Sequence, residues 1–255
     1  MTDDFTPVRI LQITDTHLFA DRHGCLHGTD TRRNLANIVE LALQAPPPDL
    51  VLTTGDLVQD GSPAGYQALF KILKALKTPV AVIAGNHDNP DALRENLPKS
   101  VRLGGVHLLG AWRAVLLNSQ LPGEARGHLD NAELYFLRAA LEAAGEHHVL
   151  VVLHHNPVPV GSAWLDRIAL DNPDALFGVL HRFPNVHAVL CGHVHQELDT
   201  RADGLRILAT PATSVQFRPH SPDFALDAKP PGMRWLTLRE NGLLETQVER
   251  LTPQV

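Results

Sequence analysis

The sequence predicts a single α/β domain whose sheet is covered on both faces. Three observations support this fold class. The length of 255 residues is within the range of one such domain. Short apolar runs alternate along the chain with longer amphipathic stretches, which is typical of α/β proteins. The apolar runs contain few polar residues, as expected of strands that are buried on both sides.

Nine segments are predicted as strands from their length and their content of Val, Ile and Leu. They cover residues 8–13, 50–53, 79–84, 113–117, 149–153, 186–190, 205–209, 234–239 and 244–250. Three prolines, residues 46–48, break the chain before the second strand, and Asn241-Gly242 predicts a hairpin turn between the last two. Residues 155–171 and 212–233 lack clear periodicity and are predicted as loops.

Four helices are predicted between these strands, over residues 31–43, 63–77, 130–145 and 172–182. The second begins at Ser62-Pro63, where Ser caps the helix and Pro takes the first helical position. Asp130 and Glu133 have the spacing of a capping box, and Gly145 is suited to end that helix. Helices and strands therefore alternate along most of the chain.

The composition argues against several classes of protein. No apolar run reaches the roughly 20 residues that cross a bilayer, so we expect no membrane partner. The net charge is −6 and Lys and Arg are not clustered, which argues against binding to nucleic acid. The acidic start, with Asp3 and Asp4, lacks the pattern of a secretory signal, and Cys25 and Cys191 cannot make a disulfide framework. We therefore expect a cytoplasmic protein, and the oligomeric state stays open.

Polar side chains that can bind metal follow five of the predicted strands. The five groups are Asp15-Thr16-His17, Gly55-Asp56, Gly85-Asn86-His87-Asp88, His154-His155-Asn156-Pro157 and Cys191-Gly192-His193-Val194-His195. In open α/β sheets, ligands bind beyond the carboxyl ends of the strands. Because burying Asp and His without partners is costly, five such groups in this order favour a metal site over structural packing.

The spacing within two of the groups suits a shared site. Asp15 and His17 are two residues apart, as are His193 and His195, so their side chains point the same way if the strand alternation continues into the loop. Mixed oxygen and nitrogen ligands favour manganese, iron or zinc over calcium. The glycines in three of the groups would let the backbone turn sharply and approach the ions closely.

The five groups together resemble the signature of the calcineurin-like metallophosphoesterase superfamily, which reads D-x-H, G-D, G-N-H-D, H and G-H-x-H. The signature spans residues 15–195 here. Segments 10–19, 162–166, 191–199 and 209–220 further resemble the bacterial class III cyclic-AMP phosphodiesterases. The resemblance implies one phosphoesterase domain over residues 1–255, with C-terminal strands and a hairpin over residues 205–250.

The resemblance also implies the layers of the fold and the ligands of the metals. The fold would be a four-layer α/β/β/α sandwich with two divalent ions, iron or manganese, at the sheet edge. One ion would be held by Asp15, His17 and His195, the other by Asn86, His154 and His193, and Asp56 would bridge them. The family often has His-His-Pro in the fourth motif, whereas Asn156 follows the two histidines here. The first His is the ligand in the pattern, so this change leaves the ligand set intact.

The reaction implied by the resemblance is hydrolysis of 3′,5′-cyclic AMP to 5′-AMP by a hydroxide shared between the ions, without a protein base. His87 would contact the phosphate and protonate the departing 3′ oxygen, with Asp88 orienting it or supporting its charge. Packing beside the ligands is the alternative role for His87. The substrate phosphate would also face His17, Asp56, Asn86 and His195.

Three residues are predicted to contact the rest of the substrate. Trp164 would stack on adenine, and Arg218 and His220 would face the nucleotide. The alternatives are hydrophobic packing for Trp164 and a solvated loop for the other two residues.

Two other functions stay open. The same metal core can serve glycerophosphodiesters, other diesters or phosphomonoesters, because the non-reacting parts of the substrate choose the pocket. A non-catalytic binding scaffold on this fold would have lost metal ligands, whereas all seven ligand positions match here.

Overall fold

A computed structural model describes residues 6–252 of the chain. Asp3 and Asp4, which entered the prediction about a secretory signal, lie outside this range. Among residues 6–252, no helix combines the length and the apolar character that crossing a membrane requires.

Strands and helices alternate along the chain much as predicted. The strands are β1 (Val8–Ile13), β2 (Cys25–Leu26), β3 (Thr29–Asp30), β4 (Leu50–Thr54), β5 (Val80–Ile83), β6 (Val101–Leu103), β7 (Gly105–Leu109), β8 (Trp112–Leu116), β9 (His148–Val152), β10 (Val186–Cys191), β11 (Leu198–Ala202), β12 (Leu205–Ala209), β13 (Gln216–Phe217), β14 (Leu226–Asp227), β15 (Gly232–Leu238) and β16 (Leu244–Arg250). The α-helices are α1 (Thr31–Ala42), α2 (Pro63–Leu73), α3 (Pro90–Glu95), α4 (Asn131–Ala144), α5 (Ala163–Asp166) and α6 (Pro173–Leu180).

Two six-stranded sheets carry the fold. The first has the order β16-β15-β1-β4-β5-β6, in which β1, β4, β5 and β6 are parallel and the β15–β16 hairpin joins antiparallel to β1. The second has the order β11-β12-β10-β9-β8-β7, with four parallel central strands and an antiparallel strand at each edge. Each sheet is therefore mainly parallel, as expected of strands that are apolar throughout.

Three apolar cores separate four layers. Successive strand residues point to opposite faces, so in β4 Val51 packs under α1 and α2 while Leu52 enters the core between the sheets. In β9, Val149 packs under α4 and α6, and Leu150 meets Leu52 in the central core. Burial of each such side chain stabilises the fold by about 1.5–3 kcal/mol. The predicted four-layer α/β/β/α sandwich is confirmed.

Two predicted helix starts are confirmed at their caps. The Ser62 hydroxyl accepts from the N–H of Gly65, and the Asp130 carboxylate accepts from the N–H of Glu133. The carboxylate of Glu133 accepts from the N–H of Asn118 instead of reaching back to Asp130, so only one half of the capping box forms. Two helix ends come earlier than predicted: α2 gives way to a 3₁₀ turn over Lys74–Leu76, and α6 ends at Leu180.

The two predicted loops contain short elements. Helix α5 lies within residues 155–171, and the β13–β14 hairpin lies within residues 212–233. The loop before α5 is held by Asp166, whose carboxylate accepts from the N–H groups of Val160 and Gly161. Elements this short contain too few residues to show a hydrophobic period. Tertiary contacts decide whether they form.

Candidate metal centre

The carboxyl ends of five parallel strands, from both sheets, meet at one end of the sandwich. β1, β4 and β5 of the first sheet and β9 and β10 of the second lead into the five polar groups. Hydrogen bonds join these loops directly: the Asp15 N–H donates to the Gly55 carbonyl at 3.1 Å, and the His193 N–H donates to the Asp15 carboxylate at 3.1 Å. All seven predicted ligands lie in this cluster, and every one except the partly buried Asn86 is buried.

The loops carry these side chains on a left-handed backbone. Within residues 6–252, nine residues other than glycine have positive φ, and five of them are predicted ligands, namely Asp15, His17, Asp56, His193 and His195. The strand alternation assumed from the sequence therefore does not continue into the loops. Each such conformation costs on the order of 1–3 kcal/mol, and this cost concentrates at functional sites.

Asp15, His17 and His195 form one group of converging ligand atoms. The Nε2 atoms of the two imidazoles are 3.2 Å apart, and Nε2 of His195 is 3.4 Å from Oδ1 of Asp15. The opposite nitrogen of each ring has a hydrogen-bond acceptor: Nδ1 of His17 donates to Oε1 of Gln59 at 2.6 Å, and Nδ1 of His195 donates to the Val215 carbonyl at 2.7 Å. A neutral imidazole carries one proton, so both Nε2 atoms present lone pairs to the group.

Asp56 lies between this group and His154. Its Oδ2 is 3.7 Å from Nε2 of His17 and 3.4 Å from Nε2 of His154. Nδ1 of His154 donates to the Thr54 carbonyl at 2.7 Å, and its Nε2 is 3.3 Å from Oδ1 of Asn86. In the neutral ring this Nε2 presents a lone pair to both oxygens.

The donor set fits divalent cations. The Nε2 lone pairs of His17 and His195 face each other across 3.2 Å, and the buried Nε2 of His193 has no hydrogen-bond partner among residues 6–252. Buried acceptors that face one another are unfavourable unless positive charge lies between them. Imidazole nitrogens and carboxylate oxygens are ligands of manganese, iron and zinc.

Burial and close charges set the ionisation of the centre. Loss of water lowers the pKa of His17 to about 4 and the pKa of His193 well below its usual value, so both rings are neutral. Burial opposes the ionised form of Asp56, but the attraction of His154 outweighs it and holds the pKa of Asp56 well below its usual value. Asp56 in turn outweighs burial and raises the pKa of His154 to about 9. A cation at this position would displace that proton.

Two of the glycines in the polar groups make room for the predicted ligands. A Cβ at Gly85 would collide with the Asp56 carboxylate, and a Cβ at Gly55 would collide with the His154 imidazole. Gly55 also has φ of +95°, which L residues rarely adopt. Side chains at these positions would fill the space that the ligands occupy.

His87 is exposed beside the buried ligands. Its imidazole meets the His17 ring edge-on, with 5.0 Å between ring centroids, and its backbone N–H donates to Oδ1 of Asp56 at 2.9 Å. The imidazole thus borders the centre and is open to a substrate.

Among residues 6–252, the Asp88 carboxylate makes no hydrogen bond to the His87 imidazole, and its predicted role toward that ring stays a prediction. Gln59 contacts that ring instead. Burial, reinforced by the charge of Asp56, raises the pKa of Asp88 to about 7. The Asp88 carboxylate accepts from the N–H groups of Leu57, Val58 and Gly85 and from the hydroxyl of Tyr66. These hydrogen bonds join the loop after β4 to the loop after β5.

Trp164 belongs to an aromatic cluster with Phe217 and Phe224, defined by edge-on contacts at 4.9 and 5.3 Å between ring centroids. Phe217 in turn stacks on the His195 ring, with 4.0 Å between centroids and 13° between planes. The cluster provides the hydrophobic packing considered for Trp164, and it also borders the metal centre.

Arg218 and His220 follow this cluster on an exposed loop. The Arg218 carbonyl accepts from the hydroxyl of Ser162 at 3.4 Å. The His220 ring lies close to Gly161: a Cβ added to this glycine would be 2.8 Å from Nδ1 of the ring. The structure thus places both residues beside the start of α5. It does not bring their side chains among the ligands.

Gln59 was not among the residues predicted at the centre. Its side chain contacts both His17 and His87, with 3.2 Å between Nε2 of Gln59 and Nδ1 of His87. Gln59 lies three residues after Asp56, but no local pattern distinguishes it from an ordinary loop glutamine. Only the folded path of the loop shows the contact.

His155 is also closer to the centre than the sequence indicated. Its ring packs against His154 and His193, with centroid distances of 4.8 and 4.7 Å. Its Nδ1 is 2.8 Å from the Ser119 hydroxyl, and burial lowers its pKa to about 3. His155 is therefore a neutral ring behind the predicted ligands.

Comparison with curated proteins gives relatives over almost the whole chain. A Pseudomonas aeruginosa protein named 3′,5′-cyclic adenosine monophosphate phosphodiesterase CpdA is 44% identical over 96% of this chain and 90% of its own length. An Escherichia coli K12 protein of the same name is 42% identical over the same shares of the two chains.

Comparison with solved structures supports the four-layer sandwich fold described above. A dimetal phosphatase from Danio rerio superposes with a TM-score of 0.64 at 14% identity, covering 90% of this chain and 95% of the other. A Thermus thermophilus protein superposes with a TM-score of 0.59 at 15% identity, covering 95% of this chain and 99% of the other. The family model for calcineurin-like phosphoesterases matches residues 8–197, which include all five polar groups. This chain belongs to the calcineurin-like phosphoesterase family.

Proposed function

We propose that this chain is a phosphodiesterase that hydrolyses 3′,5′-cyclic AMP to 5′-AMP with the aid of two divalent cations. The observation that carries the proposal is the convergence of imidazole Nε2 atoms and buried carboxylates from five loops. The identity of 44% and 42% to two proteins named as cyclic-AMP phosphodiesterases, over 96% of this chain, supports the substrate.

Seven side chains would hold the cations, for which iron and manganese suit the mixed ligand set. When bound, two such cations lower the pKa of water toward neutrality and neutralise charge on a phosphoryl group. The protein aims the Nε2 atoms of His17, His154 and His195 inward through the hydrogen bonds that their Nδ1 atoms donate. Asp15, His17 and His195 would hold one cation, Asn86, His154 and His193 the other, and Asp56 would lie between them.

His87 would serve as the general acid. Its exposed imidazole lies beside His17 and Asp56, so a phosphodiester bound at the centre would bring its leaving oxygen within reach. As the bond from phosphorus to the 3′ oxygen breaks, a proton would pass from the ring to that oxygen. A ribose 3′ alkoxide is a poor leaving group, so protonation matters for this substrate.

The aromatic cluster and the loop that follows it would receive the nucleoside. Trp164 would offer a face to adenine, while Arg218 and His220 would contact the nucleotide from the exposed loop. The stack of Phe217 on His195 supports this placement, because it puts the cluster directly beside a proposed metal ligand.

We also propose a cytoplasmic location. Cys25 is exposed and Cys191 is buried, and both are free thiols. Free thiols are typical of reducing compartments.

A substrate panel tests the proposed function. Manganese-reconstituted protein is assayed with 3′,5′-cyclic AMP, glycerophosphocholine and a nitrophenyl phosphomonoester, with and without EDTA. We expect release of 5′-AMP from cyclic AMP to be the fastest reaction and to stop with EDTA. Faster turnover of glycerophosphocholine or the monoester would mean that this compound, and not cyclic AMP, is the preferred substrate. EDTA-resistant release would contradict the metal mechanism.

Asp56→Asn tests the position between the cations. Removing this charge should lower bound manganese from two ions per chain and reduce turnover at least about 100-fold, because both proposed sites lose an anionic ligand. Asp60→Asn is the matched control, since Asp60 is exposed on the same loop and accepts from the backbone N–H groups of Ala20 and Ser62. Metal content by elemental analysis should be normal in the control.

Trp164→Ala tests the base-binding role. We expect KM for cyclic AMP to rise roughly 5- to 150-fold, in line with a lost stacking contact of about 1–3 kcal/mol. KM for a simple aryl phosphodiester, which lacks adenine, should change much less. Equal increases for the two substrates would show that Trp164 acts only through packing.

A further inference from the structure

We propose that a groove at the opposite end of the first sheet from the metal centre binds an amphiphilic anion, a molecule with an apolar chain and a carboxylate group. The groove lies between α2, the 3₁₀ turn that follows it, and the first residues of β5 and β6, Val80 and Val101. The metal centre lies beyond the carboxyl ends of the strands, so the two sites are separate. The inference goes beyond the proposed function and does not rest on it.

The floor of the groove is apolar. Phe70 and Leu73 of α2 line it together with Val80 and Val101, and all four side chains belong to the core under α2. The groove has a volume of about 730 Å³, which is within the range of roughly 300–1,000 Å³ that is typical of small-ligand sites. An apolar chain placed on this floor would leave water, which favours binding.

Three lysines give the rim of the groove a positive charge. Lys71, Lys74 and Lys77 are exposed and line the groove. Among residues 6–252, no acidic residue lines it, and none of the three ammonium groups forms an ion pair with a carboxylate. The chain has only five lysines and a net charge of −6, so the groove is a local positive site on an acidic protein.

The lysines are the groups of the groove that an anion would meet. Other polar side chains there are already paired: Nε2 of Gln67 donates to Oδ1 of Asn96 at 2.9 Å, and the Thr78 hydroxyl donates to the Leu76 carbonyl at 3.0 Å. A lysine ammonium is a compact charge on a flexible stem, which can follow a carboxylate at the rim. The positive rim and the apolar floor together complement an amphiphilic anion.

The size of the groove favours a small molecule over a protein partner. From Gln67 to Lys77, the helix and the 3₁₀ turn extend over roughly 15 Å. A specific protein interface buries about 800 Å² on each partner, which is a wider patch than a groove of this length provides. An extended alkyl chain fits along the floor with its carboxylate at the lysines.

The lysines also lie at the end of a helical segment, where positive charge offsets the helix dipole. This effect accounts for the charges but not for the apolar groove beside them. A role in the helix alone would appear in the stability of lysine variants, whereas a role in the groove would appear in their binding.

Calorimetric titration of zinc-loaded protein with octanoate tests the binding. We expect one octanoate per chain, and affinity should rise roughly 2- to 4-fold for each methylene from hexanoate to decanoate, because each one leaves water. Octanol lacks the charge and acetate lacks the chain, so both should bind at least about 5-fold more weakly than octanoate. Equal affinity for octanol, or no rise along the series, would overturn the inference.

Nitrogen-15 NMR of the same zinc-loaded protein locates the octanoate. Backbone amide signals of residues 70–80 and 100–101 should shift on its addition, while those of the five polar groups should stay in place. Shifts confined to the polar groups would mean that octanoate binds at the metal centre, and the inference would fail.

Substitution of lysine by methionine keeps an unbranched side chain and removes the charge. Lys74→Met should weaken octanoate binding roughly 2- to 5-fold, and the triple variant Lys71→Met/Lys74→Met/Lys77→Met should weaken it at least about 10-fold. Lys229→Met is the matched control, because Lys229 is exposed outside the groove, near Asp227. If the triple variant bound octanoate normally and only unfolded at lower urea, the lysines would serve the helix alone.

Ser100→Trp tests the groove without changing its charge. Ser100 is exposed and lines the groove, so an indole at this position should fill the space and abolish octanoate binding. Unchanged binding in this variant would overturn the inference.

Vesicles of phosphatidylcholine and phosphatidylglycerol distinguish a free anion from a membrane surface. We expect the protein to stay in solution when these vesicles are sedimented. Sedimentation with the vesicles, combined with no binding of octanoate, would assign the groove to a membrane surface and overturn the inference. Because these experiments measure binding, their results are independent of whether the chain hydrolyses cyclic AMP.

Discussion

Single hydrogen bonds decide which atom of each imidazole faces the centre. Nδ1 of His154 and of His195 donates to a backbone carbonyl, and Nδ1 of His17 donates to Gln59. In the neutral form of each ring, Nε2 is left as the inward lone pair. The fixed tautomer is as much a property of these ligands as their position, because a ring turned the other way would present a proton to a cation.

At the same scale, His87 gives a prediction that separates chemistry from binding. His87→Ala should lower turnover of cyclic AMP by about 10²–10⁴-fold, since the leaving 3′ oxygen loses its proton donor. Turnover of a nitrophenyl diester should fall far less. Both rates are measured on protein with matched metal content.

His23→Ala provides the control for that measurement. His23 is an exposed histidine on the loop before β2, so its loss should leave both rates unchanged. If His87→Ala lowered the turnover of both substrates by the same factor, His87 would have a packing role beside the ligands.

Loops, more than strands or helices, shape the centre. The strands bring five loop starts to one place, but the positive φ of five proposed ligands and the close approach at Gly55 and Gly85 set the final geometry. Asp88 then joins the loops after β4 and β5 through backbone N–H groups. The centre therefore depends on loop conformations that cost energy locally and that contacts between the loops maintain.

A pair of glycine substitutions tests this dependence. Gly85→Ala should abolish metal binding and lower stability, because the added Cβ collides with the Asp56 carboxylate. Gly178→Ala in α6 has open space around it and should stabilise the protein by about 0.5–1 kcal/mol. Urea unfolding and metal analysis of both variants check the expectation. Normal metal content in Gly85→Ala would show that the loops adjust.

At the scale of the whole molecule, the centre joins two sheets that also meet through an apolar core and through hydrogen bonds from Gln12 and Arg234 to carbonyls of the second sheet. Asp15, Asp56 and Asn86 come from the first sheet, and His154 and His193 come from the second. A cation held by both sets is a cross-link that only the folded state offers. Metal binding and folding are therefore coupled.

Removal of the metal should measure this coupling. At a free manganese concentration about 100 times the dissociation constant, the folded state gains about 2.7 kcal/mol per site, so Tm should rise by several degrees over EDTA-treated protein. Calorimetry with and without EDTA checks the shift. Asp56→Asn should show little of it, and an equal shift in that variant would mean that manganese binds elsewhere.

The sequence by itself determined the fold class, the central strands and the set of converging polar residues. Apolar strands and capped helices follow from local composition, and the Asp and His residues of the centre can be recognised because they directly follow predicted strands. The tertiary structure alone decided the left-handed loop geometry, the place of Asp88 between two loops and the contact of Gln59 with two histidines. These features depend on contacts between segments far apart in the chain, which local propensity and spacing do not record.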